Sequence, residues 1–101
     1  MDTKEFIAKF DNKERFTEEE LRKIVWDGID GDEYNFIKTE EGKDLRWERP
    51  MTEIFQVNDR YFAIPWMKGL TEYQENFYNY QPYEVRPVEK AIIITEYVAV
   101  E

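Results

Sequence analysis

Two residue types that carry much of protein chemistry are missing from this 101-residue sequence, which contains no cysteine and no histidine. Without cysteine there are no disulfides, thiolate nucleophiles or Cys-ligated zinc sites. Without histidine the sequence lacks the commonest general base at neutral pH and the commonest metal ligand. Catalysis would therefore have to rest on carboxylates, lysine, tyrosine or a hard metal ion.

Long apolar runs are also missing, and the first ten residues, "MDTKEFIAKF", have neither the basic start nor the apolar stretch of a signal peptide. We therefore predict a soluble protein of the cytoplasm that does not engage a membrane. A hydrophobic share of 42% in 101 residues predicts one folded domain, residues 1–101.

Acidic residues outnumber basic ones by 23 to 14, which gives a net charge of -9. Direct binding to nucleic acid or to an anionic membrane is disfavoured, because like charges repel over long range. The same charge favours a partner protein with a basic surface.

Two helices are predicted near the start of the chain. Asp2 is placed to cap a short helix that runs to about Phe10. In "FTEEELRKIVWDGI", Thr17 and Glu20 form a capping box, and Gly28 is placed to end the helix in a left-handed conformation.

From residue 33 onward, apolar residues alternate with polar ones, which is typical of strands. We predict strands at 33–40, 45–57 and 60–66, the last two joined by a turn at Asn58 and Asp59. The β-branched segment 88–100 is predicted to be a long final strand. The fold class is thus α+β: two N-terminal helices packed on an antiparallel sheet of about four strands, with a short helix or turn before the last strand.

The segment before that last strand, "GLTEYQENFYNYQP" at 69–82, has the pattern of a short capped helix. Its predicted inner face consists of aromatic residues at i, i+4 and i+7: Tyr73, Phe77 and Tyr80. The outer side would then carry Tyr78, Gln74 and Gln81. Tyrosines and amides of this kind are typical of protein interfaces.

The candidate partner-binding residues form two sets. The aromatic and amide set contains Tyr78, Tyr83, Gln74 and Gln81. The acidic set, whose carboxylates could imitate a phosphate backbone, contains Glu18, Glu19, Asp27, Asp30, Asp32 and Glu33. The alternative for the acidic set is an ordinary solvated surface, since helix starts and turns are commonly acidic.

No catalytic, cofactor-binding or metal-binding residues are predicted. An EF-hand loop starting at Asp30 would need an oxygen ligand at its fifth position and glycine at its sixth, where the sequence has Tyr34 and Asn35. Three arginines, Arg46, Arg49 and Arg60, lie near Trp47 or Tyr61 in the sequence. We predict that they form ion pairs with Glu48 and Glu53.

The segments "FTEEELRKIVWDGID" and "RYFAIPWMKGLTEYQENFYNYQPYEVRPVEKAIIITEYV" resemble small proteins encoded by phages and prophages of Gram-positive bacteria. "GLTEYQEN" and "QPYEV" are the most distinctive parts of this resemblance, which covers residues 16–97. That family has no settled activity, so the resemblance implies a setting, a host bacterial cytoplasm, and no catalytic residue.

Three hypotheses follow for function. The first is a non-enzymatic protein that binds and modulates or inhibits a host protein, such as a nucleic-acid-handling or defence component, in the manner of an anti-CRISPR or DNA-mimic protein. The second is a structural or assembly subunit, or a homodimeric interaction module. The third is a small enzyme that uses carboxylates.

Overall fold

Two short helices precede a four-stranded antiparallel sheet in the computed structural model, which describes residues 1–91 and 95–100. The elements are α1 (Thr3–Asp11), α2 (Glu18–Asp27), β1 (Tyr34–Glu41), β2 (Glu48–Val57), β3 (Arg60–Gly69) and β4 (Tyr83–Val85). The strands are neighbours in chain order, β1-β2-β3-β4. This arrangement confirms the predicted α+β class.

Both helices begin at the caps that the sequence predicts. The Asp2 carboxylate accepts a hydrogen bond of 2.8 Å from the backbone N–H of Glu5. At α2 the capping box is complete, because the Thr17 hydroxyl accepts from the Glu20 N–H and the Glu20 carboxylate accepts from the Thr17 N–H. Such caps each stabilise a helix by about 1 kcal/mol.

A cluster of phenylalanines joins the helices to one face of the sheet. The ring of Phe6 on α1 lies edge-on to Phe55 of β2 and Phe62 of β3, with centroid distances of 5.4 and 5.0 Å. Leu21 and Ile24 of α2 are buried in the same cluster. The helices therefore cover one face of the sheet, and the core lies between the two layers.

The central hairpin confirms the predicted pairing of the second and third strands. β2 and β3 pair along their whole length, from Glu48 opposite Gly69 to Val57 opposite Arg60. In the turn between them, Asn58 has a positive φ of 57°. The second strand begins at Glu48 rather than at residue 45.

The last strand is shorter and earlier than predicted. β4 pairs with residues 61–63 of β3, whereas residues 88–91 and 95–100 lie in no helix or strand. Residues 92–94 of the predicted strand lie outside the described residues. Pro87 follows β4 closely and has no N–H to donate, so the ladder ends there despite the β-branched residues that follow.

Before the last strand the structure has a turn, which is one of the two predicted alternatives. The capped helix predicted within 69–82 does not form, because other groups take up its backbone hydrogen bonds. Met67 and Phe77 exchange two backbone hydrogen bonds of 3.0 and 2.8 Å. The N–H of Gly69 donates to the Asn76 side chain at 3.0 Å. The chain therefore makes a bend and returns as an extended segment along β3 instead of forming a helix.

This extended path reverses the predicted orientation of the aromatic side chains. Neighbouring residues of an extended segment point to opposite sides, so Phe77 faces outward and Tyr78 faces the core. Tyr78 is only 4% exposed, whereas Tyr73 is 85% exposed and Tyr80 is also exposed. The helical period that placed Tyr73, Phe77 and Tyr80 inside does not apply to an extended chain.

Candidate protein-binding surface

An exposed tryptophan at the C-terminal end of α2 marks one edge of the molecule. The Trp26 side chain is 59% exposed. Its indole N–H donates to the Tyr78 hydroxyl, and its ring lies edge-on to Trp66 at 5.5 Å. These contacts hold a large apolar surface in a fixed orientation while leaving most of it accessible to a partner.

The turn after α2 brings the start of β1 against the same edge. Gly28 has a φ of 76°, and a Cβ atom there would lie 2.8 Å from the ring of Tyr34. Glycine therefore provides both the backbone conformation and the space for that ring. Burial and the nearby charge of Glu53 raise the pKa of Tyr34.

A buried carboxylate lies behind these aromatic side chains. Glu53 is 7% exposed, on the inward side of β2. Its oxygens accept from the Thr39 hydroxyl at 3.0 and 2.8 Å and from the Trp66 indole N–H at 3.2 Å. Among residues 1–91 and 95–100, no lysine or arginine nitrogen lies within 4.0 Å of this carboxylate.

An open cavity of about 350 Å³ lies beside Glu53. We call it the Glu53 cavity, and it is lined by Val25, Trp26, Asp27, Gly28, Tyr34, Phe36, Thr39 and Glu53. Phe36 is 51% exposed at the rim. The site thus combines three aromatic side chains with two carboxylates, a composition suited to a cationic group.

The predicted acidic residues do not form one patch. Glu18 and Glu19 start α2 and Asp27 ends it, so they are separated by about 13 Å of helix, at 1.5 Å per residue. The remaining three lie in the connection to β1: Asp30, Asp32 and Glu33. We call residues 27–33 the acidic loop, and its first residue also lines the Glu53 cavity.

Two residues of the predicted aromatic and amide set have structural roles instead. Tyr78 is buried, its ring stacks on Trp66 at 5.4 Å, and its hydroxyl accepts from Trp26 and Asn76. The Gln81 amide is bonded to the backbone of Phe16, accepting from its N–H at 2.8 Å and donating to its carbonyl at 3.0 Å. The predicted outward orientation of Tyr78 is therefore wrong, and the Gln81 amide is already engaged within the fold.

The other two residues of that set are exposed but lie apart. Tyr83 is on β4, opposite Ala63 of β3. Gln74 lies in the bend beyond β3 and lines a different depression, beside Phe77 and Tyr80. The structure therefore does not assemble the aromatic and amide set into a single surface.

The sheet face opposite the helices forms a second apolar surface. We call it the open sheet face, and it includes Ile37, Ile54, Tyr61, Tyr83, Val85 and Val88 around a cavity of about 400 Å³. Ala63 at its centre is fully buried by its neighbours. Most of the side chains around the cavity are apolar, and the charged residues Lys38, Glu40 and Arg86 also line it.

Another cavity, of about 540 Å³, lies beside an arginine whose charge is already neutralised. Arg60 pairs with Asp11 at 2.9 Å and with Glu84 at 3.0 Å. These hydrogen bonds lower the pKa of both carboxyl groups. The predicted ion pairs with Glu53 were wrong, since that carboxylate has no such partner among the residues that the structure describes.

The residues that the sequence analysis missed are Trp26, Phe36 and Glu53. The sequence pattern did contain a sign of Glu53, because it lies midway between Met51 and Phe55 of β2 and so on the same inward face of the strand. No sequence pattern indicated that Trp26 and Phe36 lie together, since they meet through the turn at Gly28 that joins α2 to β1.

Comparison with protein-family models, curated proteins and solved structures found no match. In the described part of the chain, no group of three or more aspartates and glutamates could hold a metal ion. Neither described helix has the length and apolar character needed to cross a membrane.

Proposed function

We propose that this protein is a non-enzymatic binding protein that engages a basic surface on a partner protein and modulates the partner by occupying that surface. The binding surface consists of the acidic loop together with Trp26 and Phe36. It binds protein rather than nucleic acid or membrane, because its net charge of -9 opposes both polyanions.

The observation that carries this proposal is the position of two exposed aromatic side chains beside the acidic loop. Trp26, Asp27 and Phe36 line the same cavity. Large aromatic residues dominate the energetics of protein interfaces, and surrounding charges determine partner choice and association rate. A monomer that exposes such rings at a fixed edge has the composition of an interface.

More than half of the net negative charge lies in the N-terminal third of the chain, which includes the acidic loop. Residues 1–33 contain 11 acidic and 6 basic residues, a net charge of -5 in about a third of the chain. This segment contains both helices and the acidic loop. Its field attracts a basic partner and accelerates encounter at low ionic strength.

The resemblance to phage and prophage proteins supports a more specific version of this proposal. In that setting the partner is a host protein of the bacterial cytoplasm that handles nucleic acid or takes part in defence, such as a CRISPR effector. A protein of this kind has a basic groove, and an acidic protein that fills it acts as an inhibitor.

The proposal is tested by comparing two variants of equal charge in affinity capture from a bacterial lysate at low salt. The first replaces the acidic loop carboxylates with amides: D27N, D30N, D32N and E33Q. The second removes four exposed carboxylates elsewhere: D59N, E72Q, E75Q and E89Q. A protein captured by wild type is identified by mass spectrometry, purified and titrated against all three forms.

We expect the acidic loop variant to bind at least about tenfold more weakly, because several interfacial charges are lost at once. The control variant should keep nearly the wild-type affinity at about 150 mM salt, where distant charges are screened. Equal weakening by both variants would contradict the assigned surface. Capture of no specific partner would contradict the proposed function.

A second candidate function, a homodimeric assembly module, is favoured by the open sheet face. Its exposed side chains are mostly apolar, so self-association through it would depend little on salt. Sedimentation velocity at low and high ionic strength tests this candidate. A monomer at every concentration, with Tyr83→Lys behaving as wild type, would contradict it.

A further inference from the structure

Buried charges normally have a partner of opposite charge, but among the residues that the structure describes no lysine or arginine pairs with the buried carboxylate of Glu53. Removing a carboxylate from water costs several kcal/mol unless hydrogen bonds and an opposite charge compensate for it. Thr39 and Trp66 supply hydrogen bonds but no positive charge. A cation that enters from outside the described part of the chain would supply what is missing.

The cavity beside Glu53 is open to solvent and is lined by aromatic residues. The Glu53 cavity, of about 350 Å³, is lined by the rings of Trp26, Tyr34 and Phe36. Aromatic faces attract cations, and the attraction is larger in partly desolvated sites. Asp27 at the rim adds a second negative charge that favours entry.

We propose that the Glu53 cavity binds one arginine side chain of the partner protein. The guanidinium donates to the Glu53 carboxylate and lies among the aromatic rings. This inference rests on the proposed function and deepens it, since it identifies the partner group that occupies the centre of the binding surface.

Arginine suits this site better than lysine does. Its guanidinium is planar, stacks on aromatic faces and is more weakly hydrated than an ammonium group, so its transfer into a partly buried cavity costs less. It also remains charged throughout the physiological pH range. Acidic side chains and phosphates are disfavoured by both carboxylates of the cavity.

The chain contains three tryptophans that allow a direct test by NMR. The indole N–H groups of Trp26 and Trp66 bond to Tyr78 and to Glu53, at or behind the cavity. Trp47 lies outside the cavity lining and serves as the internal control. The ¹⁵N-labelled protein is titrated with N-acetyl-arginine amide, N-acetyl-lysine amide and the uncharged N-acetyl-norleucine amide.

We expect saturable shifts of the Trp26 and Trp66 indole signals with the arginine probe, weaker effects with lysine and none with norleucine. In Glu53→Gln the apparent affinity should fall by about tenfold, because a charge-assisted hydrogen bond is lost. The glutamine side chain of that variant keeps an amide oxygen for the same two donors, so the fold should survive. Phe36→Leu tests the aromatic wall independently and should also weaken binding.

Equal shifts with norleucine, shifts that include Trp47, or binding unchanged in Glu53→Gln and Phe36→Leu would overturn the arginine site. Absence of any saturable shift would overturn it as well. A protein that binds the arginine probe but captures no basic partner contradicts the proposed function alone. A partner whose affinity depends on the acidic loop but not on Glu53 contradicts the arginine site alone.

Discussion

The buried position of Tyr78 leads to a stability prediction that separates a structural residue from a binding residue. We compare Tyr78→Phe and Tyr78→Ala with Tyr73→Ala, a change of the same kind in the same segment. Tyr78 is 4% exposed and stacks on Trp66, whereas Tyr73 is 85% exposed. If Tyr78 were an exposed interface residue, the alanine variants at these two positions would lose similar amounts of free energy of unfolding.

The expected magnitudes follow from the contacts of each side chain. Tyr78→Phe removes the acceptor for Trp26 and Asn76, but both donors can reach water, so the loss should be about 1 kcal/mol. Tyr78→Ala also removes a buried ring and leaves a cavity, which costs about 3 to 5 kcal/mol. Tyr73→Ala should change the free energy of unfolding by less than about 0.5 kcal/mol.

Urea denaturation followed by tryptophan fluorescence measures all three values. The signal is suitable because Trp26 and Trp66 both contact Tyr78. Equal slopes of the free energy against urea concentration would show that the comparison concerns stability alone. A loss below about 1 kcal/mol for Tyr78→Ala, or a similar loss for Tyr73→Ala, would refute the packing described for this segment.

Two further predictions concern an ion-pair hub and a close backbone contact. Arg60 lowers the folded-state pKa of Asp11 and Glu84, so its contribution is complete above the usual carboxyl values of 3.8 and 4.5 and is lost as pH falls below them. The stability of Arg60→Gln should therefore decline less between about pH 6 and pH 3 than that of wild type in thermal unfolding, and parallel curves would contradict this. At Gly69 an added Cβ would overlap the carbonyl oxygen of Gln74. Gly69→Ala should therefore destabilise by about 1 to 3 kcal/mol in urea denaturation, and a neutral result would show that the bend shifts freely.

The parts of the fold that could be predicted from the sequence depend on neighbouring residues. Helix caps involve residues three apart, such as Asp2 with Glu5 and Thr17 with Glu20. The central hairpin depends on a two-residue turn and an alternating pattern beside it. These signals are local, so tertiary contacts did not change their outcome.

The segment 69–82 shows why the rest could not be predicted. Its capping pattern and aromatic spacing fit a helix, yet two hydrogen bonds between Met67 and Phe77 impose an extended path. That pairing depends on the part of β3 beyond residue 63, which β4 leaves unpaired and which no local pattern reveals. Because the segment is extended rather than helical, the rings predicted to face inward are exposed and the ring predicted to face outward is buried.

The same limit applies to the proposed binding surface. The sequence gives the excess of negative charge directly. It does not reveal where that charge lies beside exposed apolar side chains. Trp26 and Phe36 come together because α2 ends at Gly28 and β1 runs back beside it. That turn has to be known in three dimensions before the two rings can be combined with Glu53.

The amide clamp between Gln81 and Phe16 also constrains the order in which the chain assembles. The two residues are 65 positions apart. The backbone N–H and carbonyl of Phe16 therefore cannot form these hydrogen bonds until residue 81 has been synthesised. Contacts of such long sequence separation form late and slow the search for the native state. On a ribosome, both helices leave the exit tunnel before residue 81 does. The segment between them therefore gains its hydrogen bonds to Gln81 only afterwards.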